Sequence, residues 1–271
     1  MPIPEPHRLF LEQILTTLKQ DKRLLGVAIG GSYLTGEMDE YSDIDLVLVV
    51  EDNYYEQVLQ ERERIAHSLG SLLAAFTGDH VGEPRLLVCL YENPLIHVDL
   101  KFVLWESFKS DRRENPIILW ERQTLLSQAI LENPRDYPPV DLQWIEDRFW
   151  VWIHYCTGKL GRGELFDVID AISYIRGNVL APLAKVKAGL KPRGVRNLEK
   201  ELPHLLPDFY QTIPAKHDVY EIARSLQHTI NFYRQLRDAV KTPELVVRSQ
   251  AEIASTAYLQ KIINKLKLSQ I

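Results

Sequence analysis

The amino-acid sequence predicts an α+β protein, in which an N-terminal domain built on a mixed sheet is followed by a C-terminal helical bundle. Up to about residue 131, short apolar runs typical of buried strands alternate with segments of helical periodicity. After residue 141 the apolar residues recur every three or four positions almost throughout, as they do in packed helices. Between these regions, ENPRDYPPVD concentrates proline and polar residues. We therefore expect one domain over residues 1–136 and a second over residues 137–271.

The N-terminal domain is predicted to open with a helix and to continue with strands separated by short helices. Apolar residues at positions 10, 11, 14, 15 and 18 place the first helix over residues 7–20. The predicted strands, which are rich in Val, Ile and Leu, cover residues 24–30, 44–51, 85–91, 95–104 and 117–120. Asn53 can cap a helix over residues 54–75, and another helix is expected over residues 124–131.

The C-terminal domain is predicted to consist of helices. Aromatic and apolar residues from Trp144 to Leu160 follow a helical period, and the glycines in Gly161-Arg162-Gly163 end that helix. A second long helix is expected over residues 164–188, with a kink at Pro182 because proline lacks a backbone N–H. Two or three further helices fill residues 198–268, which gives a bundle.

Composition narrows the class of protein. A formal net charge of −5 argues against a surface built for nucleic acid. The two cysteines, Cys89 and Cys156, lie in apolar segments, so we expect core thiols in a reducing cytoplasm rather than a disulfide. We expect neither a signal peptide nor a membrane span. The motifs GxxxxGK[ST], GxGxxG, HExxH, CxxC and GxSxG are absent from the sequence, so nothing in it supports a kinase, dehydrogenase, zinc protease or serine hydrolase.

Residues suited to catalysis are concentrated between the first two predicted strands. The first strand breaks at Gly30-Gly31-Ser32, which predicts a tight turn with accessible backbone N–H groups. Asp43 and Asp45 then open the next strand, and alternation puts both on one face. Adjacent carboxylates at a buried strand repel each other and lose hydration, and a divalent cation such as Mg²⁺ removes both costs. Taken alone, the pair fits two solvated acids equally well.

The glycine–serine turn, a spacer of about a dozen residues and the Asp-x-Asp strand together resemble the signature of the nucleotidyltransferase superfamily related to DNA polymerase beta. That superfamily carries a third acid on a later strand. Asp99, within LIHVDLKFV, is the candidate here, and it shares one face of its predicted strand with His97 and Lys101. A small α/β domain followed by a helical domain also resembles the aminoglycoside and lincosamide nucleotidyltransferases.

The resemblance implies a Mg²⁺-dependent enzyme that transfers a nucleoside monophosphate to an acceptor hydroxyl and releases pyrophosphate. ATP is the expected donor, and the expected acceptor is a small molecule of the aminoglycoside type. Asp43, Asp45 and Asp99 would bind two Mg²⁺ ions, and Asp99 could instead take the proton of the acceptor hydroxyl.

The resemblance also implies a nucleotide-binding set. Gly30, Gly31 and Ser32 would hold the triphosphate through backbone N–H groups and the serine hydroxyl. If the two domains close as they do in relatives, Lys159 would contact the nucleotide, because phosphates need cations.

Other interpretations remain open. Asp99 can be an edge acid paired with Lys101, Lys159 can be a solvated lysine, and the basic cluster over residues 185–196 can offset the end of a helix. The acceptor can be a protein or an RNA, with the helical domain as the docking surface. The chain can also be a non-catalytic nucleotide-binding or interaction module, although the presence of all three acids weighs against this.

Overall fold

The polypeptide folds into two units. The structure, a computed structural model, describes residues 3–268. One unit extends to Pro138 and the other begins at Pro139. The first contains a mixed sheet with helices and the second is predominantly helical, so the predicted α+β class is confirmed.

A mixed sheet organises the N-terminal unit. Within the described part of the chain its strands are β1 (Leu24–Ile29), β2 (Ile44–Val50), β3 (Ser71–Gly78), β4 (Glu83–Glu92), β5 (Ile96–Leu104) and β6 (Ile117–Glu121). They lie in the order β3-β4-β5-β2-β1-β6. β2 and β5 run parallel, and the other neighbouring pairs are antiparallel. Because parallel strands need a crossover, β3, β4 and a helix lie between β2 and β5 in the chain.

The two faces of this sheet are covered to different extents. The helices of the unit are α1 (Glu5–Leu18), α2 (Gly31–Thr35), α3 (Tyr55–Leu69), α4 (Trp105–Ser110) and α5 (Leu125–Glu132). On one face, α1 and α3 pack over a core that includes Leu46 and Leu48 of β2. On the other, α4 and α5 pack near Val49 and Val103, towards the ends of β2 and β5. The starts of these strands therefore stay accessible on the second face.

The helix predicted over residues 54–75 is too long. α3 ends at Leu69, and after Gly70 the chain continues as β3 at the edge of the sheet. A Cβ at Gly70 would lie 3.3 Å from the Tyr91 ring, so glycine allows the close approach that turns the chain into the strand. β3 is exposed along much of its length, and a short apolar run without clear alternation does not distinguish strand from helix. The sequence pattern also does not predict α4, a helix of six residues.

The C-terminal unit is a set of packed helices. Over the described residues these are α6 (Leu142–Arg162), α7 (Leu165–Ile175), α8 (Ala181–Lys187), α9 (Leu198–Glu201), α10 (Leu206–Gln211), α11 (Val219–Val240) and α12 (Ser249–Leu268). Asp141 caps α6 by accepting a hydrogen bond from the Trp144 backbone N–H at 2.8 Å. Gly163, with φ of 74°, ends it, which confirms the predicted break.

The kink predicted at Pro182 is wrong in position. The irregularity is a π-helical segment, Arg176–Leu180, that joins α7 to α8. Pro182 follows in the first turn of α8, where a missing N–H is tolerated.

Two further expectations concern the thiols and the membrane. Cys89 and Cys156 are buried and free, as predicted, and burial raises the pKa of each to about 12. None of the described helices combines the length and the apolar character needed to cross a membrane.

A buried carboxyl group, that of Glu146, joins α6, α11 and the start of α12. It accepts hydrogen bonds from Trp150 Nε1 at 3.1 Å and from the hydroxyl of Tyr233. The backbone N–H of Arg248 donates to it at 2.9 Å, and the guanidinium of Arg237 lies 3.6 Å away. Loss of this acceptor would leave buried donors unsatisfied.

We expect Glu146→Ala to lower the free energy of unfolding by about 3 kcal/mol, because it leaves the hydroxyl of Tyr233 and the indole N–H of Trp150 without their partner. Denaturant titration followed by tryptophan fluorescence measures the change. The control is Glu132→Ala, at an exposed position of α5, where we expect a change within about 0.5 kcal/mol. Equal losses in the two variants would contradict the structural role of Glu146.

Candidate active site

The glycine turn after β1 brings the backbone against β2. Gly30 donates its N–H to the Asp45 carbonyl oxygen at 2.9 Å. Gly31 has φ of 58°, a left-handed conformation that favours glycine, and a Cβ there would overlap Oδ2 of Asp45. Glycine at position 31 therefore sets how closely the turn approaches this carboxylate.

Three carboxylates converge beside this turn. Asp45 lies directly opposite Asp99 in the parallel pairing of β2 with β5, and Asp43 immediately precedes β2. One ligand oxygen from each residue lies within 4.8 Å of the others, and all three residues are half-buried. The structure thus brings together the three acids that the sequence analysis selected. Such a group can hold a divalent cation, because carboxylate oxygens are preferred ligands of Mg²⁺.

The carboxyl group of Asp99 has an unusual electrostatic environment. Burial raises its pKa above the ordinary value, an adjacent His97 opposes the rise, and the charge of Asp43 adds to it. His97 Nε2 lies 2.9 Å from Asp99 Oδ1, so the imidazole orients this carboxylate.

Ser32, in the first turn of α2, presents an unsatisfied hydroxyl. The residue is only 6% exposed, yet Oγ has no hydrogen-bond partner among the described residues. A buried hydroxyl normally finds a partner, and a phosphate oxygen of a bound nucleotide would supply one.

Lys101 shares the face of Asp99 but pairs with a different acid. Its Nζ lies 2.7 Å from Oε2 of Glu83, and Arg85 holds the same carboxylate through two hydrogen bonds. The hydrogen bonds from Arg85, together with Lys101, lower the pKa of Glu83 to about 2. Lys101 is therefore not the partner of Asp99.

A cavity of about 140 Å³ adjoins this ion-pair cluster. Gly30, Val47, Lys101, Phe108 and Arg112 are among the residues that line it. Neither Phe108 nor Arg112 is a candidate from the sequence alone, because no pattern within α4 indicates which strands it packs against. Only the non-local packing of α4 places them here.

Two basic residues of the C-terminal half that the sequence singles out, Lys159 and Lys185, already have acidic partners. Lys159 Nζ donates to Glu164 and, at 3.1 Å, to Asp167, and these hydrogen bonds raise its pKa above the ordinary value. Lys185 is buried and pairs with Glu201 at 2.8 Å. Contact between Lys159 and a nucleotide stays a prediction, and it requires exchange of these partners.

Comparison with known proteins identifies the N-terminal unit. Residues 11–81 match the family model described as the nucleotidyltransferase domain. The matched span contains the glycine turn, Asp43 and Asp45, and it ends before Asp99. No curated protein matches the chain.

Three solved structures resemble the chain at low identity. An aminoglycoside 6-adenyltransferase from Bacillus subtilis is 16% identical, with 94% of this chain and 97% of that chain covered and a TM-score of 0.41. A nucleotidyltransferase-like protein from Exiguobacterium sibiricum 255-15 is 12% identical, with 97% and 92% covered and a TM-score of 0.39. A spectinomycin adenyltransferase from Enterococcus faecialis, with ATP and spectinomycin, is 13% identical, with 94% and 97% covered and a TM-score of 0.23.

The segment that matches the family model is the same segment at which the three acids converge. The match covers β1, the turn and β2, and the remaining acid is brought to this segment by the pairing of β5 with β2. The N-terminal unit therefore contains a nucleotidyltransferase domain over residues 11–81.

Proposed function

We propose that the protein transfers a nucleoside monophosphate, AMP from ATP, to a hydroxyl group of a small-molecule acceptor in a Mg²⁺-dependent reaction. The observation that carries the proposal is the convergence of Asp43, Asp45 and Asp99 within 4.8 Å, directly beside the glycine turn. The unpartnered hydroxyl of Ser32 adds support, because it suits an oxygen-rich ligand at the same turn. ATP and an aminoglycoside-like acceptor follow from the family resemblance.

The three carboxylates fit a bound divalent cation. Without one, like charges at this separation repel each other, and each loses hydration on a half-buried strand. Asp43, Asp45 and Asp99 would supply the ligands for two Mg²⁺ ions. When bound, the cations neutralise the charge on the reacting phosphate and on the departing pyrophosphate.

Residues of this chain bind the phosphates and accept the proton of the acceptor hydroxyl. The backbone N–H groups of Gly31 and Ser32 hold the β- and γ-phosphates, because the Gly30 N–H already donates to the Asp45 carbonyl oxygen, and Ser32 Oγ donates to a phosphate oxygen. The acceptor oxygen attacks the α-phosphorus, a new O–P bond forms, and the bond from the α-phosphorus to the bridging oxygen breaks. The hydroxyl proton passes to Asp99, for which a raised pKa is an advantage, and pyrophosphate leaves.

The direction of attack follows from the order of the strands. An in-line displacement needs the attacking oxygen and the leaving pyrophosphate on opposite sides of the phosphorus. The turn adjoins β1 and β2, whereas Asp99 lies on β5, on the other side of Asp45. The acceptor therefore approaches over β5 and the strands beyond it.

We expect Asp45→Asn, and likewise Asp43→Asn, to reduce nucleotidyl transfer at least about 10²-fold. The metal-free variants should melt at or above the wild-type temperature, because removal of one carboxylate relieves repulsion. Turnover of labelled ATP over a panel of hydroxyl acceptors, with melting curves with and without Mg²⁺, measures both effects. Asp52→Asn, at an exposed position just after β2, is the control. Wild-type turnover in either site variant would refute the metal site.

We expect Asp99→Asn to slow the chemical step by roughly 10²–10⁴-fold and to leave the affinity for Mg²⁺·ATP nearly unchanged, as for loss of a general base. A carboxyl group whose pKa is raised in the folded state destabilises that state once the pH exceeds the pKa of the same group in the unfolded chain. At neutral pH the metal-free variant should therefore be at least as stable as the metal-free wild-type protein. Single-turnover kinetics and calorimetry separate the two effects. Asp79→Asn, on an exposed loop, is the control. Loss of Mg²⁺·ATP binding would instead make Asp99 primarily a metal ligand.

We expect Gly31→Ala to weaken Mg²⁺·ATP binding by at least about tenfold, because its Cβ overlaps the Asp45 carboxylate and displaces it. Gly36→Ala is a matched control, since Gly36 also has a positive φ, of 68°, but its Cβ would meet nothing within 4 Å. Calorimetric titration with Mg²⁺·ATP measures both. Similar losses in the two variants would trace the effect to backbone strain rather than to the approach of Gly31 to Asp45.

A further inference from the structure

The sheet face that carries the acids continues beyond them as an apolar surface. In the antiparallel pairing of β4 with β5, Val88 lies directly opposite Asp99, and Leu90 lies opposite His97. In the pairing of β3 with β4, Phe76 lies opposite Val88, and Ala74 lies opposite Leu90. Directly paired residues share a face of the sheet. We call Ala74, Phe76, Val88 and Leu90 the apolar shelf.

The shelf is open to solvent, unlike the opposite face of the same strands. Phe76 is 53% exposed and Leu90 is 38% exposed. Cys89 of β4, which alternates with Val88 and Leu90, is buried in the core beneath α1 and α3. Exposed apolar side chains that lie together on a sheet commonly mark a binding surface.

The position of the shelf matches the approach of the acceptor. Neighbouring strands lie about 4.8 Å apart, so Phe76, two strands beyond β5, lies roughly 10 Å from Asp99 across the sheet. This is the length of a small molecule with one or two rings. The row Asp45, Asp99, Val88, Phe76 runs away from the glycine turn, on the side that in-line attack assigns to the acceptor.

We propose that the apolar shelf binds a nonpolar ring of the acceptor, so that the acceptor is an amphipathic molecule with an aromatic or alicyclic face and a hydroxyl group that reaches Asp99. This inference rests on the proposed function and narrows its substrate class. A purely polycationic sugar gains no binding free energy from contact with the four uncharged side chains of the shelf. A ring lying on Phe76 and Leu90 removes their apolar surface from water. The Phe76 ring is steadied by His80, with the ring centroids 5.5 Å apart.

The test compares two probes that differ only in the aglycone, phenyl β-D-glucopyranoside with an apolar ring and methyl β-D-glucopyranoside without one. We expect the aryl glycoside to bind the wild-type protein about tenfold more tightly in the presence of Mg²⁺·ATP, as judged by saturation-transfer NMR titration. Phe76→Ser should remove this preference and leave the affinity for Mg²⁺·ATP unchanged. Phe166→Ser is the matched control, because Phe166 of the helical unit is also exposed and also packs against a histidine, His217.

Three results would overturn the inference. The first is equal affinity for the two glycosides or no binding of either at millimolar concentration, and the second is a preference that Phe76→Ser leaves intact. The third is a dimer, seen by sedimentation, that Phe76→Ser dissociates, which would make the shelf a self-association surface. Failure of the wild-type protein to bind Mg²⁺·ATP would count against the proposed function instead. The shelf would then still be tested, by the same glycoside titration run without nucleotide.

Discussion

Mutual repulsion among three carboxylates is the constraint on which the N-terminal unit depends. Asp43, Asp45 and Asp99 would separate if the backbone allowed it, because like charges this close raise the free energy of the metal-free fold. The parallel register of β2 with β5 and the bond from the Gly30 N–H to the Asp45 carbonyl prevent that separation. The absence of a side chain at Gly31 completes the arrangement, since it leaves room for the Asp45 carboxylate.

One face of the sheet is buried and stabilises the fold, whereas the other face is only partly covered and carries the acids. α1 and α3 bury the alternate residues of β2 and β5, such as Leu46 and Leu100, and this core holds the strands in register. The other face is covered only where α4 and α5 pack, so acids and exposed apolar residues can lie along the rest of it. A carboxylate cluster is tolerated there because the strands that carry it are fixed from the opposite side.

The helical unit uses its own charges to hold itself together. Glu146 links α6, α11 and the start of α12 from inside the core, and Lys185 of α8 pairs with Glu201 of α9. Lys159 and Lys185, two cations that the sequence offers for phosphate binding, are thus engaged in internal ion pairs. An ion pair formed in the folded chain must be exchanged before the same cation can bind a phosphate, and this exchange has an energetic cost.

The sequence by itself determined the α+β class, the glycine turn and the pair Asp43 and Asp45, because each depends on residues close together in the chain. It also selected Asp99, but only pairing of β5 with β2, more than fifty residues apart, brought that acid to the others. Tertiary structure alone decided that residues 71–78 form an edge strand, that Lys101 pairs with Glu83, and that Phe76 lies in the row of Asp99. Strand register depends on residues far apart in the chain, because it is set by which face of each strand must be buried in the core. Local periodicity therefore does not predict it.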